Sequence, residues 1–568
     1  MRRSVLLAIV GSLAPAVGAA QNDSTAFICD GRVVARVNIT TERPPFSGTA
    51  AKWRAAAHAI GLHHATTRRT VIEAFLSLAP GTICTEFRRS ESERVLRAQP
   101  FLSQAVVRVA PDTGIGVVVE VTTTDEAPVL VSGRFRGLRP ESFSLGNENV
   151  GGLALRVEGR IENGGSYRTE FGGRMEQDAL VGHPYRLVLD GARYQIGHRL
   201  VAEVEHPLFT DLQRISWHAG IIVTDDYPRF ERVDADQLAL QASDRSWGVS
   251  SLLRVFGTHT VTLLGGAIDG RRFEPATRAV IVQDTGVAPD TSATLRGRYP
   301  SFEVGRIGIT GGVRRVTFQT VSGFDALVGS QDVARGAMLG VHIAHGLPQF
   351  GERDLLISGA LYAGAASANA LLATLAQLEG RRDAASTWNS VIGSARTALY
   401  WGSAPGLVLV VDDQLSAGRN SRLPLQLSFR DYDYGLPGYR NSGLAGALRN
   451  VARAELRVSG ESLVREADIG LAAFVQNGLL RAGDVPFGVD ATRTTLGISV
   501  LGAYPSRSKR LYRADLAFPL TRSGRGAGGV EVRFSSFDRT QGFWTEPDDV
   551  TRARTGTNPS RLFAWPQR

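Results

Sequence analysis

The sequence predicts a mainly β protein, with a transmembrane antiparallel β-barrel of about 16 strands preceded by a small βααββ domain. Three observations support this fold class. The chain begins with a segment typical of exported proteins, and from Val129 onwards most of it consists of short runs that alternate apolar and polar residues. No segment is long and apolar enough to be a credible membrane helix.

The first 20 residues have the features of a secretory signal peptide. They contain two arginines, an apolar run from Val5 and small residues at positions 18–20. A membrane anchor is the alternative, which the shortness of the run and Pro15 disfavour. The mature chain is therefore expected to begin near Gln21, outside the cytoplasm.

The two cysteines of the chain, Cys29 and Cys84, both follow this segment. In an oxidising compartment such a pair most simply forms one disulfide, and two separate buried thiols are the alternative. Neither cysteine has His or Asp neighbours at metal-ligand spacing, so zinc is not expected. No metal and no cofactor is predicted for the chain.

Basic residues outnumber acidic residues by 64 to 55, and the only lysines are Lys52 and Lys509. A net charge of +9 is compatible with nucleic-acid binding, but the arginines are spread along the chain among acids rather than clustered. We therefore expect no nucleic-acid partner. Charges distributed in this way suit a solvated interior surface.

Residues 21–128 are predicted to form one small domain with the order β-α-α-β-β. The strands are recognised by alternation and β-branched side chains, and the helices end at Pro or Gly. The predicted elements are a strand at residues 33–40, helices at 52–78 and 85–102, and strands at 105–110 and 116–123.

Residues 129–540 are predicted to form the barrel. Runs such as LALRVEGRI (residues 153–161) place apolar residues on one face of a strand and charged residues on the other. A soluble sandwich also fits this pattern, but so many strands without a disulfide would be unusual in a secreted sandwich. In a transmembrane barrel the apolar face meets lipid and the charged face lines a wet lumen, and roughly 400 residues correspond to about 16 to 20 strands. Residues 541–568 are rich in Pro, Thr and Arg and are predicted to be disordered.

The stretch SERVLRAQPFLSQAVVRVAP, with GVVVEVTTTDE after it, resembles a POTRA domain, the periplasmic module of Omp85-family outer-membrane proteins. A single POTRA domain suggests a specialised or reduced member of that family. The residues that occupy the family's positions are Leu96, Arg97, Phe101, Leu102, Val107, Val109 and Asp125-Glu126.

The stretch LPLQLSFRDYDYGLPGYR and the strands after it resemble the C-terminal part of the Omp85 superfamily, the BamA/TamA-like or bacterial surface antigen D15 type. In that family a loop, followed by five strands of a barrel of about 16, folds back into the lumen and carries a Val/Ile/Leu-Arg-Gly-Phe/Tyr motif. An ordinary extracellular loop is the alternative. The resemblance implies a lumenal lid-loop motif made of Gly435, Leu436, Pro437, Gly438, Tyr439 and Arg440.

The motif departs from the family at its arginine, where this chain has Pro437. The family's partner aspartate, in a Phe-Val-Asp-x-Gly context, is also replaced, since this chain reads FVQNG with Gln476. Losing both charges of a lumenal ion pair together can be nearly neutral. We hypothesise that Arg440 anchors the loop instead, through Asp431, Asp433 or another lumenal acid. The candidate lid contacts are Asp431, Asp433, Glu455 and Gln476.

No common catalytic motif is present in the sequence, such as Gly-x-Ser-x-Gly, His-Glu-x-x-His or a P-loop, so no enzymatic activity is predicted. The resemblance implies instead a factor for assembly, insertion or translocation of proteins. Its partners would be outer-membrane lipid and an unfolded or secreted client protein, bound at the POTRA sheet edge and at the seam between the first and last barrel strands. The predicted seam strands are Phe143–Glu148 and Val530–Asp538, with Val530, Val532, Phe534 and Phe537 as last-strand residues.

The resemblance also implies localisation in the bacterial outer membrane, with the POTRA domain and the C-terminal tail in the periplasm. Two other functions remain open. The first is a passive channel or surface structural protein without insertase activity, which the missing arginine and aspartate favour. The second is a secretion pore specific for one partner.

Overall fold

A computed structural model describes residues 29–44, 65–538 and 546–554, with short gaps. The predicted signal peptide, residues 52–64 of the first predicted helix, and Asp433 lie outside the described residues. The gaps are residues 113, 115, 137–138, 164–168, 234, 258–259, 284–285, 293, 405, 432–433 and 465.

The N-terminal domain contains a four-stranded sheet and two helices. Its elements are β1 (Asp30–Glu42), α1 (Arg69–Ala74), β2 (Ile83–Thr85), α2 (Glu86–Ala98), β3 (Leu102–Pro111) and β4 (Val117–Asp125). The sheet order is β2-β1-β4-β3, with β1 parallel to β4 and the other two pairs antiparallel. Alternate residues of the central strands pack against the helices, because successive side chains of a strand point to opposite faces.

The predicted βααββ order is not matched in detail, because the short strand β2 lies between the two helices. A three-residue strand is too short to leave an alternation pattern in the sequence. Cys84 of β2 forms a disulfide with Cys29, which precedes β1, and their Cα atoms lie 5.1 Å apart. Thr85 then begins α2, since its side chain accepts a hydrogen bond from the Arg88 amide at 3.2 Å and satisfies one of the unpaired N–H groups of the first turn.

A closed antiparallel barrel follows this domain, and the described residues give it 20 strands. The barrel consists of β5–β11, β14, β15, β18–β23 and β26–β30. The strands after β4 are, in chain order, β5 (Val129–Arg136), β6 (Arg139–Asn147), β7 (Leu155–Asn163), β8 (Thr169–Gln177), β9 (Arg186–Tyr194), β10 (Gly197–His206), β11 (Ile215–Asp226), β12 (Arg229–Phe230), β13 (Leu238–Ala239), β14 (Ala242–Phe256), β15 (Val261–Pro275), β16 (Val280–Gln283), β17 (Gly286–Pro289), β18 (Phe302–Ser322), β19 (Ser330–Gly346), β20 (Asp354–Ala366), β21 (Ala370–Asp383), β22 (Trp388–Ala404), β23 (Leu407–Arg419), β24 (Leu427–Ser428), β25 (Ala445–Gly446), β26 (Leu448–Val464), β27 (Ala467–Arg481), β28 (Ala491–Ala503), β29 (Arg510–Pro519) and β30 (Glu531–Asp538).

The barrel's 20 strands lie at the upper end of the 16 to 20 that the length predicts, so the count of about 16 that the resemblance implies is too low. Five of them, β26–β30, follow the predicted lid loop, as the resemblance implies, so the additional strands all precede it. Local alternation identifies a strand, but it carries no information on how many strands close the circle.

The prediction of the first seam strand is also wrong. The barrel closes by pairing β30 with β5, whereas residues 143–148 belong mainly to β6, one strand further on. Strand β5 begins four residues after β4 ends, and Gly133 interrupts the apolar row on its outer face, so its alternation is weak.

The outer face of the barrel is apolar, as the alternation predicts. In β28, for example, Leu496, Ile498 and Val500 are exposed, whereas Thr495 and Ser499 point inward and are buried. Side chains that are exposed and apolar on a barrel exterior suit contact with acyl chains. None of the helices in the described part of the chain is long and apolar enough to span a membrane.

The inner face is only partly charged, which corrects the expectation of a uniformly wet lumen. Strands β14, β15 and β18–β23 carry inward apolar residues that form one buried cluster. Phe324, in the loop between β18 and β19, and Leu208, in the loop between β10 and β11, belong to the same cluster. These loops fold against the wall and cover apolar side chains that would otherwise face water.

The two ends of the barrel differ. The N-terminal domain lies at the end we call proximal, where Arg510 Nη2 donates to the Pro100 carbonyl at 3.1 Å and to Glu148 Oε2 at 3.2 Å. Ser508 also donates to Glu126 Oε2 at 2.6 Å. At the opposite, distal end, β12, β13, β16 and β17 form a small sheet, and β24 pairs with β25.

The prediction of a disordered periplasmic tail is wrong for residues 546–554. They form a short helix, α3 (Asp548–Ala553), that packs against inward-facing residues of the barrel wall. A polar composition predicts disorder when water is the only partner, but the wall offers charged and hydrogen-bonding side chains. Residues 541–545 and 555–568 lie outside the described residues.

Candidate functional site

The loop between β23 and β26, residues 420–447, turns back into the distal half of the barrel, and we call it the lid loop. Its Phe429, Leu436 and Tyr439 are fully buried against Val451 and Leu480 of the wall. Burial of these large side chains holds the loop inside, since an extracellular excursion would leave them in water. At its base Gln426 Nε2 donates to the Glu231 carbonyl of the distal sheet region at 3.1 Å.

Two glycines of the motif are required by the backbone. A β-carbon on Gly435 would lie 2.2 Å from the Asp431 carbonyl oxygen and 2.3 Å from that of Phe429. Gly438 has φ +85°, a conformation that other residues rarely adopt. The lid loop can therefore fold tightly on itself at Gly435, and its tip, residues 435–440, can approach the wall at Gly438, where a β-carbon would lie 2.9 Å from the Gly529 carbonyl oxygen.

On one side of the closure between β30 and β5, the tip of the lid loop, residues 435–440, is hydrogen-bonded to the last strands of the barrel. Gln476 Nε2 of β27 donates to the Gly435 carbonyl at 3.1 Å, and Thr495 Oγ1 of β28 donates to the Pro437 carbonyl at 2.7 Å. The Gly438 amide donates to Glu531 Oε2 of β30 at 2.7 Å. Backbone groups of the motif are thus satisfied by inward side chains of three strands.

Tyr439 extends this attachment. Its hydroxyl donates to the Thr494 carbonyl at 3.2 Å and accepts a hydrogen bond from the Thr521 amide at 2.8 Å. A buried phenol with both roles satisfied fixes its own orientation and that of the loop beside it.

Arg440 connects the tip to the first strands of the barrel, on the other side of the seam. Its guanidinium pairs with Glu162 of β7 and has its Nε 3.8 Å from Glu141 Oε2 of β6. Asn441 Nδ2 also donates to Glu141 Oε1 at 3.0 Å. Burial and the nearby Arg134 and Arg430 lower the pKa of Arg440 to about 10, which leaves it charged near neutral pH.

The seam beneath the tip is the shortest pairing between barrel strands. Among the described residues it runs from Glu531 opposite Arg136 to Ser535 opposite Ser132, five residue pairs, compared with six between β6 and β7 and seventeen between β18 and β19. Beyond this register Ser536 Oγ donates to the Val131 carbonyl at 2.9 Å. A short ladder has few hydrogen bonds to break, so the seam costs less to separate than the long ladders of the barrel do.

Aromatic packing supplements the seam on its outer side. The rings of Phe534 and Phe135 are stacked with their centroids 5.9 Å apart. The Phe534 ring also covers Gly133, because a β-carbon there would lie 2.7 Å from Phe534 Cε1. Val532 lies opposite Phe135 in the same ladder.

The remaining predicted site residues occupy several positions. Asp431 accepts a hydrogen bond from the Tyr434 amide at 3.0 Å and lies 3.7 Å from Arg449. Val530 precedes β30 at its distal end. The side chain of Phe537 and the whole of Asp433 are outside the described residues.

Glu455, which the sequence suggested as a lid contact, lies in a charged cluster of the barrel wall. Arg513 donates to both of its carboxylate oxygens, at 2.9 and 2.7 Å, and Arg457 Nε donates at 2.6 Å. Arg453 Nε donates at 3.0 Å, and Arg457 Nη1 continues to Asp325 at 2.9 Å. The cluster ties β26 and β29 to the proximal loop that carries Asp325.

Sequence reasoning missed the acids that hold the lid loop. Glu531, Glu162 and Glu141 each come from a barrel strand whose pairing is set by the closure of the circle, far away in sequence. The only sequence signal was that Glu531 and Glu162 alternate with outward apolar residues. That signal places a side chain in the lumen, but it does not identify the partner.

Comparison with known proteins gives structural neighbours only. No family model matches the chain, and no curated protein matches it. Similar solved structures include BamA from Haemophilus ducreyi lacking POTRA domains 1–3, at 10% identity and a TM-score of 0.38, covering 88% of this chain and 85% of that one. CdiB from Escherichia coli is 13% identical with a TM-score of 0.37, and the match covers 90% of this chain and 80% of that one. CdiB from Acinetobacter baumannii is 10% identical with a TM-score of 0.35, and the match covers 89% of this chain and 74% of that one.

Proposed function

We propose that this chain is an outer-membrane protein of the Omp85 type that inserts or translocates client proteins through the seam between β5 and β30. In this proposal the proximal end, with the N-terminal domain, faces the periplasm and the distal end faces outward. The client is an unfolded or secreted polypeptide, and lipid contacts the apolar outer face.

The observation that carries the proposal is the position of the lid-loop tip. It bonds Glu531 of β30 on one side of the seam and pairs with Glu162 and Glu141 on the other. The shortest ladder of the barrel therefore has a second connection from inside, made of charged and polar contacts. These contacts are not part of any strand ladder, so they can separate without unpairing barrel strands, and the seam can be held shut and yet released.

The N-terminal domain supports the proposal through its sheet edge. Strand β3 is an edge strand of ten residues, long enough to receive a client strand. Its Val107 amide donates to Glu93 Oε2 at 3.1 Å, and its carbonyl accepts from Arg89 Nη1 at 2.8 Å. In this proposal a client displaces these two side chains, which otherwise protect the edge from unwanted pairing.

The experiment that tests this function locks the seam with an engineered disulfide. Ser132 and Ser535 are opposite each other across the seam, so both are replaced by Cys, with Thr374→Cys/Thr397→Cys across β21 and β22 as the matched control. Both variants are reconstituted in liposomes, and the folding of a urea-unfolded barrel client is followed with and without reductant.

We expect oxidation of the seam pair to slow client folding by about tenfold or more, because a covalent bond replaces a separable ladder, and oxidation of the control pair to change nothing. Equal rates for the oxidised and reduced seam pair would show that the seam is not the route.

A passive channel is the second candidate, favoured by one observation. Gln476 holds the lid loop through a neutral amide, where the resemblance implies an aspartate and an arginine. Without these charges, the lid loop lacks the ion pair that the resemblance implies for holding and releasing it. Ion conductance in the same liposomes, without any acceleration of client folding over protein-free liposomes, would select this function.

A further inference from the structure

Residues 546–554, which we call the C-terminal plug, re-enter the barrel after the last strand. Strand β30 ends at Asp538 at the proximal end, but Asp549 lies 3.5 Å from Arg449 Nη1 at the distal start of β26. We propose that the lumen contains a peptide-binding site whose resident ligand is this plug, and that its occupancy holds the lid loop inward and closes the barrel. The proposal does not depend on client insertion.

The plug is bound by side chains of four wall strands, of which β26 contributes Arg449. Ser394 Oγ of β22 donates to Glu546 Oε1 at 2.8 Å. Arg271 of β15 donates to the Arg552 carbonyl at 3.1 Å and also to the carbonyl of Arg554. The Arg554 guanidinium lies 3.9 Å from the fully buried Glu379 of β21. A surface that meets both the charges and the carbonyls of one short segment is a built site rather than incidental contact.

The same site includes the lid loop. Val550 and Ala553 of the plug are buried with Leu425 and Leu427 of the lid loop and with Ile392 of the wall. The plug therefore covers apolar side chains of the lid loop, which would meet water if the plug left.

One guanidinium joins plug and lid loop directly. Arg449 Nη1 donates to the Ser428 carbonyl of the lid loop at 2.6 Å and to Asp549 Oδ2 of the plug at 3.5 Å. Arg449 is almost fully buried, so removal of the plug takes away one of the acids that compensate its charge. Hydration of this guanidinium would then compete with its bond to the lid loop.

The plug can leave without unpairing a barrel strand. The backbone–backbone hydrogen bonds of the described plug residues stay within the plug, from the amides of Val550 and Thr551 to the Pro547 carbonyl at 3.0 and 2.9 Å and from the Arg554 amide to the Val550 carbonyl at 3.2 Å. Its attachment to the wall consists of side-chain contacts, which form and break faster than strand ladders.

The chemistry of the site defines the ligand it takes. The plug has acids at its start, Glu546, Asp548 and Asp549, and arginines at its end, Arg552 and Arg554. Arg449 faces Asp549 near the start and Glu379 faces Arg554 at the end, while Arg554 Nε also donates to Glu546 Oε2 within the plug at 2.7 Å. A short helical segment with the same order of charges, and small apolar residues at the positions of Val550 and Ala553, would compete for the site.

The first experiment compares two truncations in planar lipid bilayers. One chain ends after residue 545 and lacks the plug, and the matched control ends after residue 554 and keeps it; both retain β30. We expect the chain without the plug to conduct several-fold more than the control, and a synthetic peptide of residues 546–554 to reduce that conductance at about millimolar concentration, the effective concentration of a tethered segment. Equal conductance of the two truncations would overturn the proposal.

Point variants in the full chain provide the second measurement. Val550→Asp places a charge among Ile392, Leu425 and Leu427, whereas Thr551→Asn alters an exposed side chain of the plug and keeps a donor for Glu546 Oε2. We expect Val550→Asp to conduct like the plugless truncation and to expose the lid loop to trypsin at Arg430, and Thr551→Asn to behave like the wild type. If the lid loop stays protected in both, the plug does not hold it and the proposal is wrong.

Discussion

Arg440 is the residue through which the lid loop reaches the first strands of the barrel. Replacing it with Ala removes its pairing with Glu162 and Glu141, and leaves these acids with fewer compensating charges. We expect Arg440→Ala to destabilise the folded barrel by about 1–3 kcal/mol, the range for a lost hydrogen bond to a charged partner. The measurement is the temperature at which the compact electrophoretic form in detergent is lost.

The control for this prediction is Arg481→Ala. Arg481 lies 3.7 Å from Asp490, and both side chains are well over half exposed, so their pair contributes little. If Arg440→Ala melts at the same temperature as Arg481→Ala, Arg440 is not an anchor of the lid loop.

Gln476 holds the lid loop through the amide group of its side chain. Gln476→Leu keeps the approximate size but removes the donor to the Gly435 carbonyl, which lies in a buried part of the loop. An unpaired buried carbonyl costs about 1–3 kcal/mol, so we expect the lid loop to open more often. Faster trypsin cleavage after Arg430 in the folded protein reports this opening.

Asn477→Leu is the matched control, because Asn477 is the next residue along β27 and points outward, where its Nδ2 donates to Thr494 Oγ1 at 2.9 Å. Its cleavage rate should equal that of the wild type. An unchanged rate for Gln476→Leu would mean that Thr495 and Glu531 suffice to hold the tip.

At the residue scale, the resemblance indicated the motif and one of its contacts, Gln476, but not the acids that hold it. The requirement for glycine at 435 and 438 comes from the geometry of the folded loop. The partners Glu162 and Glu531 are brought together only when β5 meets β30. Pairing across the closure depends on the strand number, which local patterns do not encode.

At the scale of elements, the seam depends on the close approach of β5 and β30 at Gly133. Any side chain there would overlap the ring of Phe534, whose Cε1 would lie 2.7 Å from the new β-carbon. We expect Gly133→Val to weaken the seam by about 1–3 kcal/mol, as overpacking does, and to lower the temperature at which the compact electrophoretic form disappears.

Gly159→Val is the control, because Gly159 of β7 has open space around its missing β-carbon and the substitution adds a residue that favours strands. It should melt at or above the wild-type temperature. Equal melting of the two variants would show that the Phe534 ring does not need Gly133 beneath it.

Elements were predicted where their environment is uniform along the strand. The alternation in β28 is regular because one face of the strand points outward and the other points into the lumen along its whole length. The prediction failed for two short elements. Strand β2 has only three residues, too few to show alternation, and α3 is a polar helix whose binding surface is formed by distant wall residues. In both cases tertiary contacts, rather than local propensity, determine the element.

At the scale of the whole molecule, Glu126 connects the N-terminal domain to the barrel. Ser508 donates to its Oε2 at 2.6 Å, and the Ala127 amide donates to its Oε1 at 2.9 Å. Burial raises the pKa of Glu126 to about 7, although Arg510 and Lys509 nearby act in the opposite direction. The junction therefore titrates near neutral pH.

The sign of the pH effect follows from this raised pKa. The folded protein holds the proton up to about pH 7, whereas the unfolded chain releases it near the ordinary value of 4.5. Stability therefore falls as pH rises between these two values, and the full cost, of the order of 2–3 kcal/mol, is present above pH 7. We expect the apparent melting temperature in detergent to be higher at pH 6 than at pH 8.

Glu126→Gln tests the origin of this dependence, because an amide cannot titrate. Burial also raises the pKa of Asp178, in the turn after β8, to about 7, so the single variant should lose part of the difference between pH 6 and pH 8. The double variant Glu126→Gln/Asp178→Asn should lose most of it and should be more stable than the wild type at pH 8. A wild type that is more stable at pH 8 than at pH 6 would show that these carboxyl groups are hydrated, and that the N-terminal domain does not seal against the proximal end of the barrel.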